Sequence, residues 1–191
     1  MLLFDIKNYK IGFSFSFFAL LSFVFCYEQW YITVFTLLAC IVHEIGHLIS
    51  MSCFGIKSSA VIFYCGGIKI KYDNKLQPLR NRLIELLSGV LVNFSIALVA
   101  HILNAKIVCL TNLLVGIYNL LPFKYFDGGQ VLNAIKENMK NKVLWWVVDV
   151  IRLICSFALL IMCFILFYYG RVNLSIIITA VYIIISEFIS I

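Results

Sequence analysis

Long apolar runs alternate with short polar, mostly basic connections along this chain. Six runs are candidates for crossing a bilayer: residues 11–26, 30–54, 83–103, 107–121, 143–169 and 172–189. A helix needs roughly 20 apolar residues to span the hydrocarbon core, so the first and fourth are short for a full crossing. Between the second and third runs, residues 58–72 break the pattern. Val61, Ile62, Phe63 and Tyr64 lead into Gly66 and Gly67, and the next five residues alternate apolar and polar. β-Branched and aromatic residues on both sides of a Gly-Gly pair predict a hairpin with a two-residue turn; an amphipathic loop on the lipid surface is the alternative. The pattern therefore predicts an all-α polytopic membrane protein with about six transmembrane helices and a small β-hairpin between helices 2 and 3.

Composition sharpens this picture. With 191 residues the length suits one domain over 1–191, and 63% hydrophobic against 13% charged residues excludes an ordinary soluble fold. The formal charge of +6 does not indicate a nucleic-acid partner, because the basic residues lie between apolar runs and act as topology signals in a lipid bilayer. Lys7 and Lys10 precede the first run. Six further Lys and Arg lie between the second and third, and Lys124, Lys136, Lys140 and Lys142 between the fourth and fifth. The opposite side holds Lys106 and Arg171, and Arg152 remains inside the fifth run, three residues from Asp149, where a local ion pair is the ordinary explanation. The positive-inside rule thus predicts cytosolic termini and cytosolic long loops. No small-x-small cleavage site follows the first run, so a retained span is expected rather than a signal peptide. The seven cysteines form no Cys-x-x-Cys pair and read as small buried hydrophobes, not as a disulfide framework or a thiolate metal cluster.

Chemistry concentrates in the second run. His43, Glu44 and His47 interrupt residues 31–56, which carry no other charge. Each helical residue advances about 100°, so two histidines four apart lie within about 40° of one another and can reach one metal ion. Glu44 lies beside them, where a carboxylate can take a proton from an attacking water. This is the zinc metalloprotease arrangement, and polar groups inside an apolar span are functional by default. With cytosolic termini, His47 lies about 12 Å from the cytosolic end of its span. Water then reaches the site from the cytosol.

A hydrolytic zinc site needs a third protein ligand and one open position. Asp127, in the segment Asn119-Leu120-Leu121-Pro122 through Asp127-Gly128-Gly129, lies on the same predicted side. It also fits a helix N-cap with Gln130 as capping-box partner. Among glutamates, Glu85 is the strongest challenger for the third ligand position, ahead of Glu137 and Glu187. His101 lies on the wrong side. In the third run Gly89 and Asn93, four apart, allow close helix approach and one interhelical hydrogen bond.

Together, His43-Glu44-Ile45-Gly46-His47 and Asn119-Leu120-Leu121-Pro122 with Asp127-Gly128 resemble the motifs of the site-2 protease family of intramembrane zinc metalloproteases. Within it the chain looks most like the small six-span branch typified by the stage IV sporulation protease. The resemblance implies Zn²⁺ held by His43, His47 and Asp127, Glu44 as catalytic base, and Asn119 as a substrate-positioning or loop-fixing residue. It also supports a substrate-pairing role for the hairpin around Gly66 and Gly67. It implies regulated intramembrane proteolysis in a bacterial cytoplasmic membrane. The substrate would be membrane-tethered, such as a sigma-factor precursor or an anti-sigma factor, cut near the cytosolic face. Inhibitory or regulatory membrane partners are implied as well.

The chain departs from the family in having Val90 where a proline is frequent, and Tyr125 where the branch often has a second one. A PDZ domain and the branch's C-terminal nucleotide-sensing module are not expected. Two rivals stand beside this reading: a non-proteolytic divalent-metal binding or transport protein, and an inactive homologue that holds a partner in the membrane.

Overall fold

A computed structural model describes residues 2–6, 9–13, 29–56, 58–64, 67–72, 77–124, 126–138 and 142–169. They group into two compact units, Met1–Tyr118 and Asn119–Ile191.

The first unit contains strands β1 (Leu2–Ile6), β2 (Tyr9–Phe13), β3 (Ser58–Tyr64) and β4 (Gly67–Tyr72), with helices α1 (Trp30–Cys53), α2 (Leu79–Ile102) and α3 (Lys106–Asn119). The strands form one sheet in the order β1-β2-β3-β4. β1 and β2 pair antiparallel, β2 and β3 parallel, and β3 and β4 antiparallel, with an irregularity between Ser58 and Ala60. A parallel pair needs a long crossover, and the chain from β2 to β3 passes through α1 to supply it. The sheet corrects one boundary: the predicted first span starts at residue 11, yet β2 runs to Phe13. Residues 14–28 and 170–191, which carry the rest of the first predicted span and all of the sixth, lie outside the described residues, as does Gly66 of the predicted Gly66-Gly67 turn, whereas Gly67 already pairs with Tyr64.

Among the described residues, three helices are long and apolar enough to cross a membrane: Trp30–Cys53, Leu79–Ile102 and Trp145–Ile165. Helix α3, with 14 residues, is shorter. Burial on α1 and α2 is inverted relative to a soluble protein. Leu38, Ile41, Ile45 and Ile49 of α1 and Leu91, Leu98 and Ile102 of α2 are exposed, whereas Thr33, His43, His47, Ser50, Glu85 and Asn93 are buried. Lipid accepts the apolar face, and on the buried face His47 and Asn93 bond across to the backbone of the facing helix. This is a membrane protein.

Helix α1 ends in a Schellman turn. Ile56 N–H donates to Met51 O (2.9 Å) and Gly55 N–H to Ser52 O (3.0 Å), with Gly55 at φ 67°. Buried Met51 and Ile56 supply the apolar contact that accompanies this motif. Helices α1 and α2 meet where Gly46 faces Gly89: a Cβ added at Gly46 would lie 3.0 Å from Gly89 Cα and 3.0 Å from Ser88 O. Seven residues along α1 toward its start, fully buried Asn93 donates through Nδ2 to Ala39 O (3.3 Å). Both features match the reading of Gly89 and Asn93 as a close-approach pair. Asn104, at φ 57°, turns the chain from α2 into α3, and Gly116 of α3 packs against the Phe94 ring.

The second unit holds α4 (Asp127–Asn138) and α5 (Lys142–Tyr168). Lys136 Nζ bridges to Asp149 (3.0 Å) and lies over the Trp145 ring, whose Nε1 donates to Lys136 O (3.1 Å).

Candidate metal centre

His43 and His47 are buried on one face of α1, and their Nε2 atoms lie 3.1 Å apart with the rings edge to face. The tautomer of His47 follows from its other nitrogen. Nδ1 is 2.8 Å from Glu85 O and 3.4 Å from Ser88 Oγ. Ser88 directs its own hydrogen to Glu85 O (2.6 Å), so both neighbours of Nδ1 are acceptors. Nδ1 therefore carries the proton, and Nε2 turns a lone pair toward His43. A tetrahedral ion holding both nitrogens at the usual zinc distance of about 2.0–2.1 Å would set them about 3.3 Å apart. The observed spacing fits that requirement.

Gly89 explains how α2 tolerates this pair. A Cβ there would lie 2.5 Å from His47 Nε2, 2.8 Å from His43 Cε1 and 2.9 Å from His43 Nε2. The missing side chain leaves room for the imidazoles. Sequence reading found Gly89 as a packing residue and missed this contact. Glu44, the next residue along α1 from His43, is half-buried.

In the second unit, the approach to Asp127 is a folded-back loop. Phe123, almost fully buried, anchors it, and Phe126 N–H donates to Phe123 O (3.0 Å). Gln130 N–H donates to Phe126 O (2.9 Å), so Phe126 is the N-cap and Asp127 the first helical residue. The capping-box reading therefore fails: Phe126 has no side-chain acceptor, and Gln130 stands at the fourth helical position instead of the third. Gly128 and Gly129 are obligatory here, because a Cβ would fall 2.1 Å from Leu120 O or 1.9 Å from Phe123 O. Asn119 is the last residue of α3 and is half-buried; Tyr125 and Gly66 lie outside the described residues, and Gly67 opens β4.

Among the described residues, one set of His, Cys, Asp and Glu side chains could hold a metal ion: His43, His47 and Asp127, all buried. Glu85 is not in it. Its backbone carbonyl instead orients His47, a role that carries no sequence signal.

No protein-family model and no curated protein matches the chain. Among solved structures it is similar to the site-2 protease from Methanocaldococcus jannaschii, with 21% identity and a TM-score of 0.66, over 95% of this chain and 90% of that one. The chain therefore has the fold of that protease.

Proposed function

We propose that the protein is an intramembrane zinc metalloprotease of the site-2 protease type, closest to the sporulation branch. The observation that carries this reading is the buried His43–His47 pair, with its Nε2 atoms convergent at 3.1 Å on an apolar helix and Glu44 beside it. His43, His47 and Asp127 are the residues that would hold the ion. Bound there, zinc supplies Lewis acidity, acidifying a water and polarising the peptide carbonyl.

The chain's own groups do the rest. Glu44 takes a proton from the attacking water and returns it to the leaving amide nitrogen, a contribution of about 10²–10⁴-fold. The Glu85 carbonyl holds the His47 ring in the tautomer and orientation the site needs. Asn119 fixes the loop or positions substrate. A membrane helix has its backbone amides internally paired and must unwind before it can be cut. An edge strand offers the unwound segment a hydrogen-bonding partner, and β4, which ends the sheet, is the candidate edge, reached through the turn at Gly66 and Gly67.

In this reading the single domain, 1–191, has six spans and cytosolic termini. It cuts membrane-tethered proteins such as sigma-factor precursors or anti-sigma factors near the cytosolic face, under regulatory membrane partners. The test is cleavage of a single-span reporter by the purified chain in lipid vesicles. The native chain should cut it and Glu44→Gln should not. Equal cleavage by both removes Glu44 from the chemistry, and no cleavage by either favours the metal-binding or transport alternative.

A further inference from the structure

Arg152 is a charged residue inside the apolar segment Trp145–Ile165, and its guanidinium is largely buried. Such a group is costly in a membrane and is normally held by specific partners. The obvious one is Asp149, one turn away, but its Oδ1 is 4.0 Å from Arg152 Nη1 and both Asp149 oxygens receive Lys136 Nζ, at 3.0 and 3.2 Å. Arg152 instead points at the loop that carries Asp127. Nε donates to Pro122 O (3.0 Å), and Nη2 donates to Asn133 Oδ1 (2.7 Å) and more weakly to Gly129 O (3.4 Å).

These acceptors bracket Asp127 along the chain. Pro122 lies in the limb that enters the loop, Gly129 in the first turn of α4, and Asn133 one turn further. The two limbs are already in backbone contact at Gly128 and Gly129, with no room for a Cβ. One planar cation therefore ties the entry limb to the helix that begins at Asp127. A lysine could not do this, because its ammonium lacks the rigid fork of donors that reaches separate acceptors at once.

We propose that Arg152 is the positioning residue for the Asp127 carboxylate, fixing the loop so that this group is held ready as a metal ligand. This rests on the reading of Asp127 as a ligand. Supporting groups of this kind are typically worth about 10–100-fold in metal affinity.

The test uses the full chain in detergent. Zinc affinity is measured by chelator competition, and the visible spectrum of the cobalt-loaded protein reports coordination. Arg152→Lys keeps the charge and loses the fork. It should bind zinc about 10–100-fold more weakly and show an altered cobalt spectrum. Lys136→Met removes the ion pair between α4 and α5 at Asp149 and serves as the control. It should lower the melting temperature and leave both metal readouts unchanged. A merely structural role for Arg152 predicts the same pattern for Arg152→Lys as for Lys136→Met, and that result overturns the proposal. Asn133→Ala, which removes the shortest of the three hydrogen bonds, should weaken zinc in the same direction, and decides the matter if Arg152→Lys does not fold; native affinity in it then overturns the clamp. Asp127→Asn separates the two layers of the argument. If it keeps native zinc affinity and spectrum, the ligand reading fails. If it loses them while Arg152→Lys and Asn133→Ala keep them, only the clamp fails.

Discussion

Replacing Gly89 by alanine puts one methyl group into the most crowded point of the histidine pair. The new Cβ would start 2.5 Å from His47 Nε2, where ordinary contact begins at 3.4 Å. The His47 ring cannot simply swing aside, because Nδ1 is tethered to Glu85 O at 2.8 Å. The alternative is for α2 to retreat from α1, which strains the Asn93–Ala39 hydrogen bond and opens the Gly46 contact. Overpacking of this kind costs about 1–3 kcal/mol. If that cost falls on the metal-competent arrangement, zinc affinity drops by about 5–150-fold.

The assay is chelator competition on the purified chain, with Gly46→Ala as comparison. Gly46 meets the backbone of Gly89 and Ser88 and the Val92 side chain but no imidazole atom among its nearest neighbours. Its alanine variant should lose thermal stability with a smaller loss of zinc affinity. A folded Gly89→Ala protein that binds zinc as tightly as the native chain would refute the placement of Gly89 against the metal-facing nitrogens.

Three further outcomes are expected. Glu44→Gln should retain zinc and lose about 10²–10⁴-fold in cleavage of a membrane-tethered substrate, measured in vesicles. Asn93→Ala should lower stability by about 0.6–2 kcal/mol in a detergent unfolding titration, the range for interhelical hydrogen bonds in membranes, without changing which metal binds. Gly129→Ala should be more damaging than either, because its Cβ would meet the fixed carbonyl of Phe123 at 1.9 Å; a chain with native melting behaviour would contradict the folded-back loop.

Sequence periodicity made the histidine pair legible, since a four-residue spacing on a helix has one geometric meaning. The spacing of Gly89 and Asn93 was legible for the same reason, as a close approach with one interhelical bond. Partners that are backbone carbonyls were hidden. Glu85 drew notice for its carboxylate, yet the atom that orients His47 is its main-chain oxygen. Arg152 was read as the neighbour of Asp149, whereas its acceptors lie on Pro122, Gly129 and Asn133, 19 to 30 residues earlier. The strands β1 and β2 escaped although they pair locally, because β2 runs straight into the apolar residues read as the first span, and its second partner, β3, lies beyond all of α1. At Asp127 the capping signature misled: Phe126, whose side chain has no acceptor, takes the N-cap position, and Asp127 is already the first helical residue.

The central claim is that a carboxylate from the Asn119–Gly129 motif joins the two imidazoles of α1 as a metal ligand. Elemental analysis of the purified chain tests it most directly, comparing Glu44→Gln with Asp127→Asn after dialysis against a weak chelator. The account predicts about one zinc per chain in Glu44→Gln and markedly less in Asp127→Asn, as expected when one of three protein ligands is lost. Full zinc occupancy in Asp127→Asn would contradict it.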